Sequence, residues 1–189
     1  MIISEKDIED LIVKCIKNGD SHKLHERGLD GLYHYDKFFR QFDLGDYGRL
    51  DLAAVKYDPC DQSKYCQKKL NVVVIEIKKG EINIGAFLQA IRYCKGIEHL
   101  LDRYNLDVNF KIKLIGTSVC KSDFVYLPDF FYSLDIYTVH LDLDTGITFK
   151  NERGYHLTNA RQAPVTATHI LDMKEYIKGK IQERINEPF

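Results

Sequence analysis

The chain has 189 residues, enough for one domain with a real core, and its 27 Lys and Arg against 28 Asp and Glu leave a net charge of −1. That balance gives no global electrostatic footprint for nucleic acid and argues mildly against tight non-specific DNA binding, although a local basic patch beside acidic residues would also sum to near zero. Apolar content of 44% includes no stretch both long and uncharged enough to span a bilayer. Ser4-Glu5-Lys6-Asp7 follows the opening Met-Ile-Ile directly, unlike a signal peptide, and the 5 scattered cysteines lack zinc-ligand spacing. The expectation is a soluble cytoplasmic protein with reduced thiols and no membrane partner.

Ser4 with Asp7 three residues on is an N-cap signal, and Ile8, Leu11, Ile12, Cys15 and Ile16 form a helical stripe that Asn18-Gly19-Asp20 ends. Glu5 and Glu9 lie one turn apart on it. Ser21 to Gly31 is polar and reads as a loop, and Leu32 to Phe42, rich in aromatics, reads as the first strand. Its Tyr33, His34 and Tyr35 suit either base stacking or ordinary strand packing. Phe38–Phe42 and Leu50–Val55 flank Leu44-Gly45-Asp46-Tyr47-Gly48, so the unit reads as a hairpin with Asp51 near the start of its second strand. Tyr57 to Lys69 lacks periodicity and reads as a loop whose Lys64, Lys68 and Lys69 either contact phosphates or are simply solvated.

Val72 to Ile77 is a nearly continuous β-branched run, the pattern of a buried central strand. Strand alternation puts Val74, Glu76 and Lys78 on one face and Ile75 and Ile77 on the other. Burying charges costs several kcal/mol unless they are paired or bind a metal, so a carboxylate and an ammonium at the end of such a strand point to a use. Ile84, Phe87, Leu88, Ile91, Cys94, Ile97, Leu101 and Tyr104 then recur at helical spacing, with Gln89 and Tyr93 one turn apart on the flank.

Phe110, Ile112 and Leu114 alternate with Lys111 and Lys113 in a strand ending near Gly116, and Asp123 to Leu134, around Pro128, reads as a covering loop or short helix. Tyr137, Val139, Leu141 and Leu143 alternate with polar residues up to Asp144-Thr145-Gly146, which turns into Ile147-Thr148-Phe149 as a second hairpin. Asn151 to Thr168 carries no assignable pattern. Ile170, Met173, Ile177, Ile181 and Ile185 mark a closing amphipathic helix. His34, His140, His156 and His169 stand in no ligand spacing and read as structural.

An Asp on one strand, Glu-x-Lys on the next and a helix bearing Gln-x-x-x-Tyr together resemble the PD-(D/E)-x-K nuclease superfamily, also called restriction-endonuclease-like. The matching residues are Gly48-Arg49-Leu50-Asp51, Glu76-Ile77-Lys78 and Gln89-Ala90-Ile91-Arg92-Tyr93, with Leu50 standing where the family has its eponymous Pro. The resemblance covers roughly the first two-thirds of the chain. It implies an α/β fold: a central mixed β-sheet flanked by helices, built as a restriction-endonuclease-like core over about residues 1–118. A C-terminal β-hairpin and helix over about 119–189 would elaborate that single domain.

The resemblance also implies a function, a metal-dependent deoxyribonuclease acting in repair, recombination or defence, with DNA as the expected partner and RNA left open as the alternative. Asp51, Glu76 and the Ile77 backbone carbonyl would hold Mg²⁺, for which Mn²⁺ is expected to substitute, and Glu9 on the first helix is the candidate additional ligand. Lys78 would serve catalysis, and Gln89, Tyr93 and Lys79 would position substrate. Glu9 reads equally as a solvated carboxylate favoured by the helix dipole, and Gln89 and Tyr93 as the polar flank of a packed helix. A homodimer would supply the two sites that cutting both strands needs. Two other readings stand beside the nuclease: a non-catalytic nucleic-acid-binding or assembly module that keeps the fold, and an α/β domain of other function in which the motifs coincide.

Overall fold

The Val72–Ile77 run is apolar on both sides of its pleat except at Glu76, so it needs a cover on each face, and the fold supplies two. The computed structural model describes residues 3–58, 69–104, 107–124, 134–142 and 144–152. The chain divides into a unit Met1–Leu157 and a unit Thr158–Phe189, and the latter lies outside the described residues.

Helix α1 (Glu5–Lys17) opens on a reciprocal capping box between Ser4 and Asp7, as its sequence predicts, and is followed by a short α2 (Ser21–Glu26). Strands β1 (Lys37–Asp43), β2 (Arg49–Asp58) and β3 (Lys69–Ile77) form an antiparallel meander. After the two-residue β4 (Glu81–Ile82), α3 (Ile84–Leu101), capped by the Asn83 side chain, crosses over to β5 (Asp107–Gly116), which pairs parallel to β3. β6 (Ser118–Val119) pairs with β4, α4 (Lys121–Phe124) follows, and the hairpin β7 (Leu134–Asp142) and β8 (Gly146–Asn151) completes the main sheet in the order β1-β2-β3-β5-β7-β8. The fold class is therefore α/β, with a mixed six-stranded sheet flanked by helices among the described residues.

Each face carries its own apolar cluster. Val72, Val74, Leu114 and Ile136 pack beneath Phe87, Ala90 and Tyr93 of α3. Val73, Ile75, Ile77 and Ile115 pack beneath Ile8 and Ile12 of α1 and Leu24 of α2. At about 25 cal/mol per Å², each of these buried aliphatic side chains contributes roughly 1.5–3 kcal/mol.

Three local expectations are corrected. Ser21 to Gly31 is not all loop, because Leu24 is fully buried and anchors a helical turn against α1. The first strand begins at Lys37 rather than Leu32; Leu32 is instead a buried plug beneath the α1–α2 layer. Lys113 does not sit on a polar strand face. It is fully buried, its ammonium 2.8 Å from Asp135 and 3.2 Å from the Tyr137 hydroxyl. The loop lysines Lys64 and Lys68, the Pro128 segment, His156, His169 and the closing helix lie outside the described residues.

Candidate functional site

Two strand ends and two helices converge beside Glu76. Val72 and Val74 point towards α3, so alternation carries Glu76 and then Lys78 to that same face. The β2–β3 ladder runs to the Leu52↔Ile75 pair, and just beyond it the Asp51 carboxylate accepts the Ile77 N–H at 2.9 Å. Glu76 is 1% exposed, and its Oε1 lies 2.6 Å from Lys78 Nζ. Among the described residues its Oε2 is buried with no hydrogen-bond partner.

Gln89 and Tyr93 extend the line from α3. Lys78 Nζ donates to Gln89 Oε1 at 3.0 Å, and the Gln89 amide donates to the Tyr93 hydroxyl. The order Tyr93, Gln89, Lys78, Glu76 fixes the direction of the Gln89 amide, since its oxygen must face the ammonium. Tyr93 in turn rests on Gly48, where φ is +94° and an added Cβ would meet Arg92 Nη2 at 3.2 Å and Tyr93 Cε1 at 3.3 Å. Glycine there lets the hairpin turn and the helix approach this closely.

The electrostatics follow from crowding two carboxylates in a dry place. Burial and then the Asp51 charge push Glu76 up to about 7, against the opposing pull of Lys78. Burial and the Glu9 charge likewise hold Asp51 above its ordinary value, opposed by the Ile77 N–H and Lys78. For Lys78 burial favours the neutral amine, but the hydrogen bond to Glu76 and the charges of Glu76 and Asp51 outweigh it and raise the ammonium.

Asp51, Glu76, Lys78, Gln89 and Tyr93 thus come together, whereas the remaining expected residues sit differently. Glu9 is buried, its oxygens held by Arg40 Nε at 2.8 Å and Gln41 Nε2 at 3.0 Å, and it reaches Asp51 through Gln41, whose amide is also 3.3 Å from Asp51 Oδ1. Lys79 is exposed, and its backbone N–H is taken by Glu5 Oε1 at 2.7 Å. Glu5 therefore comes closest to the end of β3 from α1, one turn before Glu9. Arg40, which also holds Asp10 at 2.7 Å, and Gln41 carry no signal in the sequence. Gln41 has φ +48°, the one positive value on a non-glycine among the described residues, a strain of about 1–2 kcal/mol for an L residue.

Hard oxygen donors in this set suit Mg²⁺. Its fit rests on the partnerless Glu76 Oε2 and on the mutual repulsion of Asp51 and Glu76, which a cation would relieve. Among the described residues no three Asp, Glu, His or Cys side chains gather as a ready-made metal cage. No family model matches the chain, nor does any curated protein or any solved structure.

Proposed function

We propose that the protein is a Mg²⁺-dependent deoxyribonuclease that hydrolyses phosphodiester bonds. The observation that carries the reading is the Asp51–Glu76–Lys78 constellation: two carboxylates both raised by burial, Glu76 also by the Asp51 charge and Asp51 by that of Glu9, with an open buried oxygen on Glu76, beside an ammonium. The element order α1-β1-β2-β3-α3-β5, with β3 and β5 parallel, supports a restriction-endonuclease-like core as its scaffold.

Asp51, Glu76 and the Ile77 carbonyl would hold the ion. When bound, Mg²⁺ supplies Lewis acidity towards a phosphate and makes an attacking water more acidic. Asp51 is pre-oriented for binding, since one of its oxygens is fixed by the Ile77 N–H. Lys78 offers its ammonium to the charge that develops on the phosphate oxygens, a preorganised contribution that requires no rearrangement at the moment of reaction. Gln89, braced by Tyr93, holds Lys78 from behind. Lys79, exposed beside the site, is placed to meet a flanking phosphate, and DNA is the expected partner.

The Glu76–Lys78 ion pair and the lack of a third convergent carboxylate among the described residues favour a second reading, a nucleic-acid-binding module in which the pair is structural. Cleavage of linear, circular, single-stranded and flapped DNA with Mg²⁺ or Mn²⁺ separates the two. Metal-dependent cutting that Lys78→Ala abolishes supports the nuclease. No cutting by folded protein, with no heat of metal binding in calorimetry, overturns it.

A further inference from the structure

We propose that Gln41 is a positioning residue for Asp51: presented by a left-handed backbone in mid-strand, its side-chain amide spans Glu9 and Asp51 and fixes the rotamer that Asp51 brings to the site. The inference rests on the reading of Asp51 as part of the reacting centre.

The backbone supplies the first observation. Regular pairing of β1 with β2 runs through Arg40↔Leu52 and resumes at Phe42↔Leu50, so Gln41 and Asp51 would face each other but fall out of the ladder together. At that point Gln41 takes φ +48°, a region that glycine and asparagine occupy far more readily than glutamine. A residue serving the strand alone would have no reason to keep that conformation, and strained positions of this kind persist where the surroundings over-determine them.

The side chain supplies the second. One amide nitrogen carries two N–H groups, and the two carboxylates on offer are Glu9 Oε1 at 3.0 Å and Asp51 Oδ1 at 3.3 Å. The Glu9 end cannot swing, because Glu9 is buried and its other oxygen is held by Arg40 Nε at 2.8 Å. Gln41 is therefore an arm anchored on the buried Glu9 carboxylate, which Arg40 holds in place, with Asp51 at its working end. Since Asp51 Oδ2 accepts the Ile77 N–H at 2.9 Å, the carboxylate is gripped at both oxygens. Releasing one grip frees rotation about the other.

Gln41→Gly tests this in the full chain, because glycine accepts the positive φ while removing the amide. Amide hydrogen exchange of Ile77 is compared with that of Val73, a buried amide of the same strand paired to β2. The expected result is an Ile77 protection factor lowered about tenfold relative to Val73. Unchanged protection at Ile77 overturns the proposal. Gln41→Glu, which sets a third carboxylate between Glu9 and Asp51, is expected to lower Ile77 protection further, and native-like protection in that variant overturns it as well. If the native protein cleaves DNA, Gln41→Gly is expected to lose about a hundredfold in kcat with KM held, and an unchanged kcat overturns the role. A native protein that cleaves nothing, with Ile77 protection still lost in Gln41→Gly, overturns the nuclease reading and leaves the positioning role in place.

Discussion

Lys78, one residue past the end of β3, reaches back to Glu76, Nζ to Oε1 at 2.6 Å, and the pair is uneven: the carboxylate is 1% exposed and the ammonium 30%. Glu76 is the more deeply buried partner, and burial together with the Asp51 charge moves its titration into the neutral range. The half-buried Lys78 gives two of its three N–H donors to Glu76 and Gln89, which leaves the third for a ligand.

Lys78→Ala is expected to lower cleavage at least about a hundredfold, the scale of losing one preorganised charge donor. Stability should fall by only about 1–2 kcal/mol, because Glu76 can take up a proton instead of standing as a bare buried charge. Turnover and the thermal unfolding midpoint, measured together, check both halves.

Glu76 also sets a pH dependence. Its carboxyl is raised from 4.5 to about 7 in the folded chain, so between those values the native state binds more protons than the unfolded state. Stability is therefore complete below about 4.5 and is lost as pH rises through 7, by roughly 3 kcal/mol from this group. Glu76→Gln should flatten that slope in urea unfolding at pH 5, 6, 7 and 8. Any cation that needs the ionised carboxylate should in turn bind more tightly across the same rise, with release of a proton detectable by calorimetry in two buffers.

A second buried ion pair tests the fold away from the site. Burial lowers Lys113 despite Asp135, while Lys113 and Lys111 together hold Asp135 below its ordinary value even though burial opposes them. Lys113→Met is expected to cost about 3 kcal/mol by leaving Asp135 short of its buried partner, and adding Asp135→Leu should restore most of that. Denaturant unfolding of the single and double variants reads the difference.

Gly96 sits inside α3, where alanine would ordinarily gain about 1 kcal/mol of helix propensity. Here an added Cβ would come within 2.8 Å of Tyr47 Cβ and 2.9 Å of its Cγ. Overpacking of this kind costs about 1–3 kcal/mol, so Gly96→Ala should destabilise the protein on balance, as a lowered unfolding midpoint would show.

Much of the arrangement beside Glu76 was legible because it obeys the two simple periods. Alternation along Val72–Ile77 sets the face of Glu76 and Lys78, and the four-residue spacing of Gln89 and Tyr93 sets them one above the other on α3. The Glu9 neighbourhood was not legible, because the choice between Glu5 and Glu9 depends on how α1 lies across the sheet, which no local pattern encodes. Gln41 carries no turn-forming signature, and its positive φ goes with side-chain contacts to Glu9 and Asp51, residues distant from it in sequence. Lys113 reads as half of a polar face because its neutralising partner, Asp135, is 22 residues away in sequence. The helix at Ser21–Glu26 leaves no periodic signal in the sequence, because so short a helix with one buried leucine presents no stripe.

Arg27 reaches across the chain to the last described hairpin. Its guanidinium donates to the Thr145 and Ile147 carbonyls, and its own carbonyl accepts the Phe149 N–H at 2.7 Å. During synthesis the helices at the N-terminus therefore wait for some 120 residues before the strand that latches them emerges. Loop-closure entropy makes such late contacts slow to form. A nascent chain stalled before Leu134 would still lack Tyr137, Val139 and Phe149 beneath α1 and α2, leaving that apolar layer open to chaperones until the β7–β8 hairpin emerges.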